Sequence, residues 1–584
     1  MRTIKQYAFL CFPICLLLVG ALNAQEPKNM VRKTFDLSFL KHSMTGQVAS
    51  SHELPLRASL AEKSVESYTE QARGQTLEPR QFETDEVIEM VQSVCITSGE
   101  EEEYTTIQAT DQKLMVAARP ETMKKVYATL RFIEELTTRN ATIEIVSINA
   151  SSLKSAKAGL MTSQEVAALM QDVEVSHRQR AIMNLGQMAR LDASRTRQYV
   201  VDYDVEVAEK ARIADPVVAA LLEGTQFGVQ VQECPDGRFF MRVQGRICTR
   251  VGKDRIVQSP ANGIGAIELP KTMSAIVALN AIVTPGSGFL VGSHESGNNP
   301  WLVRLISVDP KPDFGTIKLI PVGMLNHAVF SPKIKTVVGP RRSGDNGGRD
   351  DDEEDNCIFS VDTLMNSMQE YCETRMDEEH RGRIRHIGQN LFVLANPNIS
   401  GQLEKSLIDH IAPVMRNVAT ELRYDLIDNN QVGALLASST DEMAKRMSRQ
   451  ARFLTRTGSR GLVASGREWL SLKEMDVEIA SGSQIADPVI DALFEGVVFG
   501  ARPSITLTGD IALSIDFTVQ ENTHRGRIFE TGLPDVGGLD ADDLTHVHGN
   551  ARFKTKPDKW TLVHTAPLTG TDSTFVLMAR ATYE

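Results

Sequence analysis

Cysteine is scarce in this chain: seven in 584 residues, two of them within the first fifteen. No CxxC pair and no Cys/His zinc spacing occurs, which removes the common structural zinc modules from consideration. HExxH, GxSxG and Walker A signatures are missing, as is a GxGxxG in a strand-to-helix setting, so no familiar catalytic or nucleotide-binding motif sets an activity. A basic excess is missing too. The formal charge is -12 and the sequence pI is near 5.6, a diffuse acidic balance that disfavours nucleic acid as a partner. Past the N-terminus no apolar run reaches the length of a membrane-spanning helix.

What is present begins with an export signal at 1–24. Arg2 and Lys5 supply the charged start, Phe9 to Val19 the apolar segment, and Ala21-Leu22-Asn23-Ala24 the small-residue cleavage zone. Removing it leaves Cys95, Cys234, Cys248, Cys357 and Cys372. Five thiols cannot all pair within one chain. Cys357 with Cys372 or Cys234 with Cys248 could bridge in an oxidising compartment, and buried free thiols are the alternative.

The chain also repeats itself. Asp204 to Gly228 returns at Asp476 to Gly500, with 15 of 25 positions identical and no gap. Such self-similarity marks one structural unit used twice. Within it, Asp215-Pro216 and Asp487-Pro488 read as the cap and first turn of a helix, and Glu223-Gly224 and Glu495-Gly496 as its stop.

The expected fold class is α+β, as a tandem duplication. Each copy has a small αββαβ domain (81–150 and 357–428), then a helical segment and a β-rich core (151–336 and 429–584). In the first domain Val87, Met90, Val91 and Val94 make one helical face. Strands Tyr104–Ala109 and Lys113–Ala118 follow, then a helix opened by Pro120, then a closing strand through Ile143 and Ile145. Their counterparts are Arg383–Ile387, Asn390–Ala395, Pro397 and Leu422–Ile427. Helical segments are expected at Ser163–Arg195 and Gln431–Thr457. Pro235-Asp236-Gly237 and Gly509-Asp510 signal turns between strands. Residues 25–80 read as a polar arm with an isolated strand near Thr34–Leu40, and 337–356 as an acidic flexible linker.

Lys113-Leu114-Met115-Val116-Ala117-Ala118 followed by Pro120-Glu121-Thr122 resembles the ring-building periplasmic domains of secretins, the oligomeric outer-membrane gates of bacterial secretion and pilus systems. The run Gly496 to Leu513 is similar to the start of the secretin β-core, and Gly224, Phe227, Gly228, Pro235 and Gly237 echo it in the first copy. The Ile-Pro-x-Leu-Gly gate motif of that family is missing, with Glu530 to Leu539 as a remnant. The resemblance therefore implies a soluble relative of secretins.

No catalytic, cofactor-binding or metal residue is assigned, and no cofactor is expected. His546 and His548, two apart beside Asp540, Asp542 and Asp543, have metal-ligand chemistry but lack identified further ligands. Asp350 to Asp355 lacks the EF-hand glycine and terminal glutamate. Ser151-Ser152-Leu153-Lys154 has a SxxK spacing without its companion motifs. The expectation is an exported, non-enzymatic, secretin-like scaffold in the periplasm or at the outer membrane. Its partners would be further copies of itself or other envelope proteins. A binding module for a peptide or glycan, and a divergent exported hydrolase, are the alternatives.

Overall fold

The computed structural model describes residues 30–37, most of 82–149, and 159–322 and 383–583 apart from short interruptions. The signal segment, the 341–355 linker, Cys357, Cys372, Lys154 and Asp350 to Asp355 lie outside the described residues, as does the second-copy counterpart of the first helix. Two compact units divide the chain: residues 1–42 with 82–136, and 43–81 with 137–584.

The first unit is small. Strand β1 (Val31–Asp36), helix α1 (Thr84–Cys95), strands β2 (Thr106–Thr110) and β3 (Lys113–Ala118), and helix α2 (Pro120–Thr137) follow in order. Val87, Met90, Val91 and Cys95 bury the α1 face that the spacing marked out. The sheet order is β1-β3-β2, all antiparallel. The strand near Thr34 is therefore not isolated, because six of its residues pair with β3.

The second unit opens with β4 (Asn140–Ile148), β5 (Leu160–Met161), α3 (Ser163–Asp172) and β6 (Val175–Asn184). Two long strands follow, β7 (Met188–Ala208) and β8 (Ala211–Glu233), and then β9 (Phe239–Arg250). Shorter β10 (Arg255–Gln258) and β11 (Ala266–Leu269) precede β12 (Lys271–Val283), β13 (Gly288–His294), β14 (Trp301–Val308) and β15 (Ile317–Pro321). After 382 come β16 (Arg383–Ile387), β17 (Asn390–Leu394), α4 (Pro397–Ile411), β18 (Asn417–Asp428), α5 (Asn429–Leu436), α6 (Thr440–Arg446) and β19 (Arg449–Arg456). The chain ends through β20 (Gly461–Ala480), β21 (Ser483–Ile505), β22 (Ile511–Asn522), β23 (Ile528–Glu530), β24 (Gly538–Asp540), β25 (Leu544–Thr555), β26 (Thr561–Pro567) and β27 (Ser573–Tyr583). Strands dominate and six helices are present among the described residues, so the α+β class stands in its coarse form.

Two large sheets share one core. One runs β25-β22-β21-β20-β12-β9-β8-β7, the other β26-β27-β18-β19-β13-β14-β4-β6 with β5 beside β13. Phe227, Val243, Leu279, Phe499 and Phe517 of the first pack with Ile143, Val303, Leu422 and Phe453 of the second in a single apolar cluster. Phe227 meets Trp301 and Tyr424 meets Phe499, each with ring centroids 5.0 Å apart. A separate three-stranded sheet, β15-β17-β16, packs with α4 against Phe240 and Ile282.

Three expectations are corrected. The strand through Ile143 does not close the small domain. β4 is buried at eight successive positions, and a strand covered on both faces must lie inside a large sheet; β1 takes its place in the small one. The strand through Leu422 likewise leaves for the large sheet, and β15 replaces it. The two long helical segments are helical only at Ser163–Asp172, Asn429–Leu436 and Thr440–Arg446. Beyond those points the chain turns into β6 and β7, and into β19.

The third correction concerns Asp215-Pro216 and Asp487-Pro488, which sit in strands rather than at helix starts. Asp204 faces Asp215 in the β7–β8 hairpin, and Asp476 faces Asp487 in the β20–β21 hairpin. Local capping chemistry yields to pairing along the whole length of two strands, each hairpin arm reaching about 65 Å at ~3.3 Å per residue. Gly224 is no helix stop. It holds φ +132°, and an added Cβ would lie 2.2 Å from the Ala193 carbonyl oxygen. The turns at Gly237 and Gly509 form as expected, both with positive φ.

The second sheet carries a buried charge at two matching places. Glu144 faces Arg304 on one side and Arg180 on the other; Glu421 faces Arg580 and Arg452. Arg580 Nη2 donates to Glu421 Oε2 at 2.7 Å and Arg423 Nε to Oε1 at 3.0 Å. Both guanidinium groups lie over the Trp560 ring, at 4.9 and 5.1 Å. Burial alone would push the Glu421 carboxyl up, but the bond from Arg580 and the charges of Arg423 and Arg452 hold it below its ordinary value of 4.5. A lowered carboxyl contributes stability that is present above the unfolded value and lost as pH falls through the folded one. Glu421→Gln should therefore cost about 2 kcal/mol at pH 7. In urea titrations the gap to the unsubstituted protein should narrow below pH 4.5; an equal gap at every pH would contradict this.

Candidate assembly edges

The 8-stranded sheet is continuous because β12 pairs antiparallel with β20, from Lys271 opposite Trp469 to Ala278 opposite Leu462. Across the core, β13 pairs with β19, Gly292 opposite Arg452 and His294 opposite Gln450. Both ladders join the same two halves of the unit, so they form one junction through both layers.

Small side chains let the two strands meet. Ser274 faces Gly466 and Ala275 faces Ser465, all buried. The Ser274 hydroxyl donates to Glu468 Oε1 at 2.9 Å, with both residues 3% exposed. Beside the ladder Arg255 donates to the Asp540 carboxylate, whose other oxygen accepts the Leu472 amide at 2.8 Å. Asn417 ties the halves further, accepting from the Ile282 amide at 2.8 Å and donating to its carbonyl at 2.6 Å. A buried backbone ladder of this kind does not open without exposing unpaired donors and acceptors.

At its two ends each sheet has a strand paired on one side only. β7 pairs only with β8, β25 only with β22, β6 only with β4 and β26 only with β27, among the described residues. Asp192, Ala193, Ser194 and Arg195 on β7 are exposed, as are His546, His548 and Asn550 on β25. Ile182, on β6, is 72% exposed. Such edges are templates for a further strand unless blocked. Asp192 accepts from the Ser194 hydroxyl, from Gln226 at 3.2 Å and from Arg190 at 2.9 Å. Burial raises its carboxyl, but these donors hold it below the ordinary range.

His546 and His548 do share a face of β25, as their spacing requires. His548 Nδ1 lies 3.1 Å from the Thr518 hydroxyl, while Asp540 is committed to Arg255. Among the described residues no three metal-ligating side chains gather. Cys234 and Cys248 are not bridged; both are buried, as is Cys95, and none of the three is in a disulfide. Burial pushes the Cys248 thiol up to about 11 and raises that of Cys234 further. Sequence reading did not identify the edges, because an edge is a property of sheet order.

No family model matches the chain, and no curated protein does. Solved structures similar to it are secretins. One is the secretin-domain β-barrel of InvG from the Salmonella SPI-1 injectisome, at 14% identity over 39% of this chain and 80% of that one, with a TM-score of 0.20. Another is the type IV competence pilus secretin PilQ of V. cholerae, at 12% identity over 35% and 70%, with a TM-score of 0.19. A third is the AspS–GspD pilotin–secretin complex of ETEC, at 8% identity over 86% of each chain, with a TM-score of 0.17. At these scores the likeness establishes neither family nor activity.

Two outcomes follow. Arg255→Ala leaves Asp540, whose side chain is 2% exposed, without its cation and should lower stability by about 2–3 kcal/mol; unchanged denaturant midpoints would contradict that role. Cys95, Cys234 and Cys248 should resist alkylation at pH 8 in the native protein and react in 6 M urea at about the model-thiol rate; native labelling of Cys248, mapped by mass spectrometry, would overturn the burial account.

Proposed function

We propose that this chain is an exported, non-enzymatic scaffold of the bacterial envelope, secretin-like in kind, that self-associates into a ring as part of a secretion or pilus-type system. Residues 1–24 act as the signal, 81–336 and 357–584 as two copies of one unit, and 337–356 as the acidic linker between them. The reading places the mature protein in the periplasm or against the outer membrane. No described helix is long and apolar enough to cross a membrane.

One observation carries this reading: sheet registers repeat across the chain. Each long hairpin skips one residue at the same place, between Val200 and Asp202 and between Leu472 and Glu474. Gly224 and Gly496 both take positive φ at matching positions. The β10–β11 ribbon starts with Arg255 opposite Leu269, and β23–β24 pairs in a matching register, with Glu530 opposite Gly538. The buried Glu144 and Glu421 each sit between two arginines. A unit repeated with this fidelity, and joined to itself by antiparallel ladders, suits assembly better than an asymmetric catalytic pocket.

Light scattering on the purified mature chain tests it. The expected result is a concentration-dependent rise from one chain mass to a defined multiple. A single-chain mass across the whole soluble range would contradict the scaffold reading and favour the binding-module alternative.

A further inference from the structure

The internal junction is a template for what the open ends bind. Strand β12 ends the first-copy half of the 8-stranded sheet and β20 begins the second-copy half. Their structural counterparts 272 positions away (Gly224 to Gly496, Asp204 to Asp476) are β25 and β7, the two strands paired on one side only. The correspondence is one of register. Gly224 faces Cys248 as Gly496 faces Gln520, and Thr272 faces Arg250 as Leu544 faces Asn522.

Burial separates the two settings. At the junction Thr272, Ser274, Ser465 and Glu468 are 0–3% exposed. At the free ends the matching positions that are described, His546 and Ala193 among them, are exposed or only partly covered. At these positions the strand surface is thus covered where a neighbour is present and open where none is, whereas Val547 and its junction counterpart Ala275 are buried in both settings.

The other sheet repeats the arrangement. β13 meets β19 at the junction, and their counterparts β26 and β6 are that sheet's open edges. Both layers therefore end in complementary edges at the same two ends of the unit.

Resting on the scaffold reading, we propose that the partner is a second copy of this chain, docked head to tail, with β25 of one molecule pairing antiparallel with β7 of the next. β26 and β6 close the other layer. Carrying the β12–β20 register over sets the contacts: Leu544 opposite Thr196, His546 opposite Ser194, Val547 opposite Ala193, His548 opposite Asp192 and Asn550 opposite Arg190. Asp543 falls opposite Arg197, whose guanidinium also donates to Asp254 at 2.9 Å, and this opposition adds charge complementarity at that end of the ladder. The contact is heterologous, so it closes into a ring or continues as a filament. Each chain contributes two quasi-equivalent units, and every second junction in the assembly is the covalent one already seen within the chain.

Two double variants of the full mature chain test the register. His546→Cys with Ser194→Cys places thiols directly opposite; His546→Cys with Arg190→Cys displaces them by four residues, about 13 Å along the strand. Under mild oxidation the first should give intermolecular disulfide ladders on non-reducing gels, with the 546–194 link identified by peptide mass spectrometry. The second should give at least tenfold less of its own link. Oligomers that form without the 546–194 link, or equal linking in both variants, would overturn this docking while leaving the scaffold reading standing. Chains that stay monomeric by light scattering would fail both.

Discussion

The antiparallel ladder between β12 and β20 is the constraint on which the rest of the second unit depends. Without it the 8-stranded sheet would fall into two four-stranded halves, each with an additional naked edge. Backbone N–H and C=O groups taken out of water must find partners. This ladder supplies them over eight residue pairs. The β13–β19 ladder does the same across the core. Because both layers are joined at one place, side chains from the two halves can enter one apolar cluster, Phe227 and Val243 alongside Phe499 and Phe517.

The same constraint explains why polar residues are tolerated inside. Glu468 is buried at the junction yet receives the Ser274 hydroxyl. Asp540 is buried and receives Arg255 and a backbone amide. Glu421 is flanked by arginines whose planar heads also cover Trp560. Each of these three carboxylates has a partner on another strand, which ties it to one register and penalises a slip. Register in this protein is thus fixed chemically as well as by the apolar pattern.

Much of the local structure was legible in the residues. The α1 face, the paired strands before Pro120 and Pro397, and the turns at Gly237 and Gly509 follow from periodicity and turn chemistry. Asp215-Pro216 was misleading, because a helix cap and a strand position ask little of two residues and the 20-residue partner decides between them. Ile143 and Leu422 were placed as strands but in the wrong sheet. Alternation identifies a strand, and only burial on both faces shows that it lies inside a larger one. The edges at β7 and β25 were not legible at all. Asp192, Ser194, His546 and His548 look like ordinary surface residues until sheet order places them at opposite ends of the same sheet.

Hydrogen exchange measured across a dilution series tests the central claim most directly. Alternate amides of 190–196 and 544–550, those that point away from β8 and β22, should exchange fast in dilute protein and become protected together as concentration rises. Those of 271–278 and 462–469 should stay protected throughout, since their neighbour is covalently attached. Fast exchange at those outward-pointing amides in samples that light scattering shows to be assembled would contradict the claim.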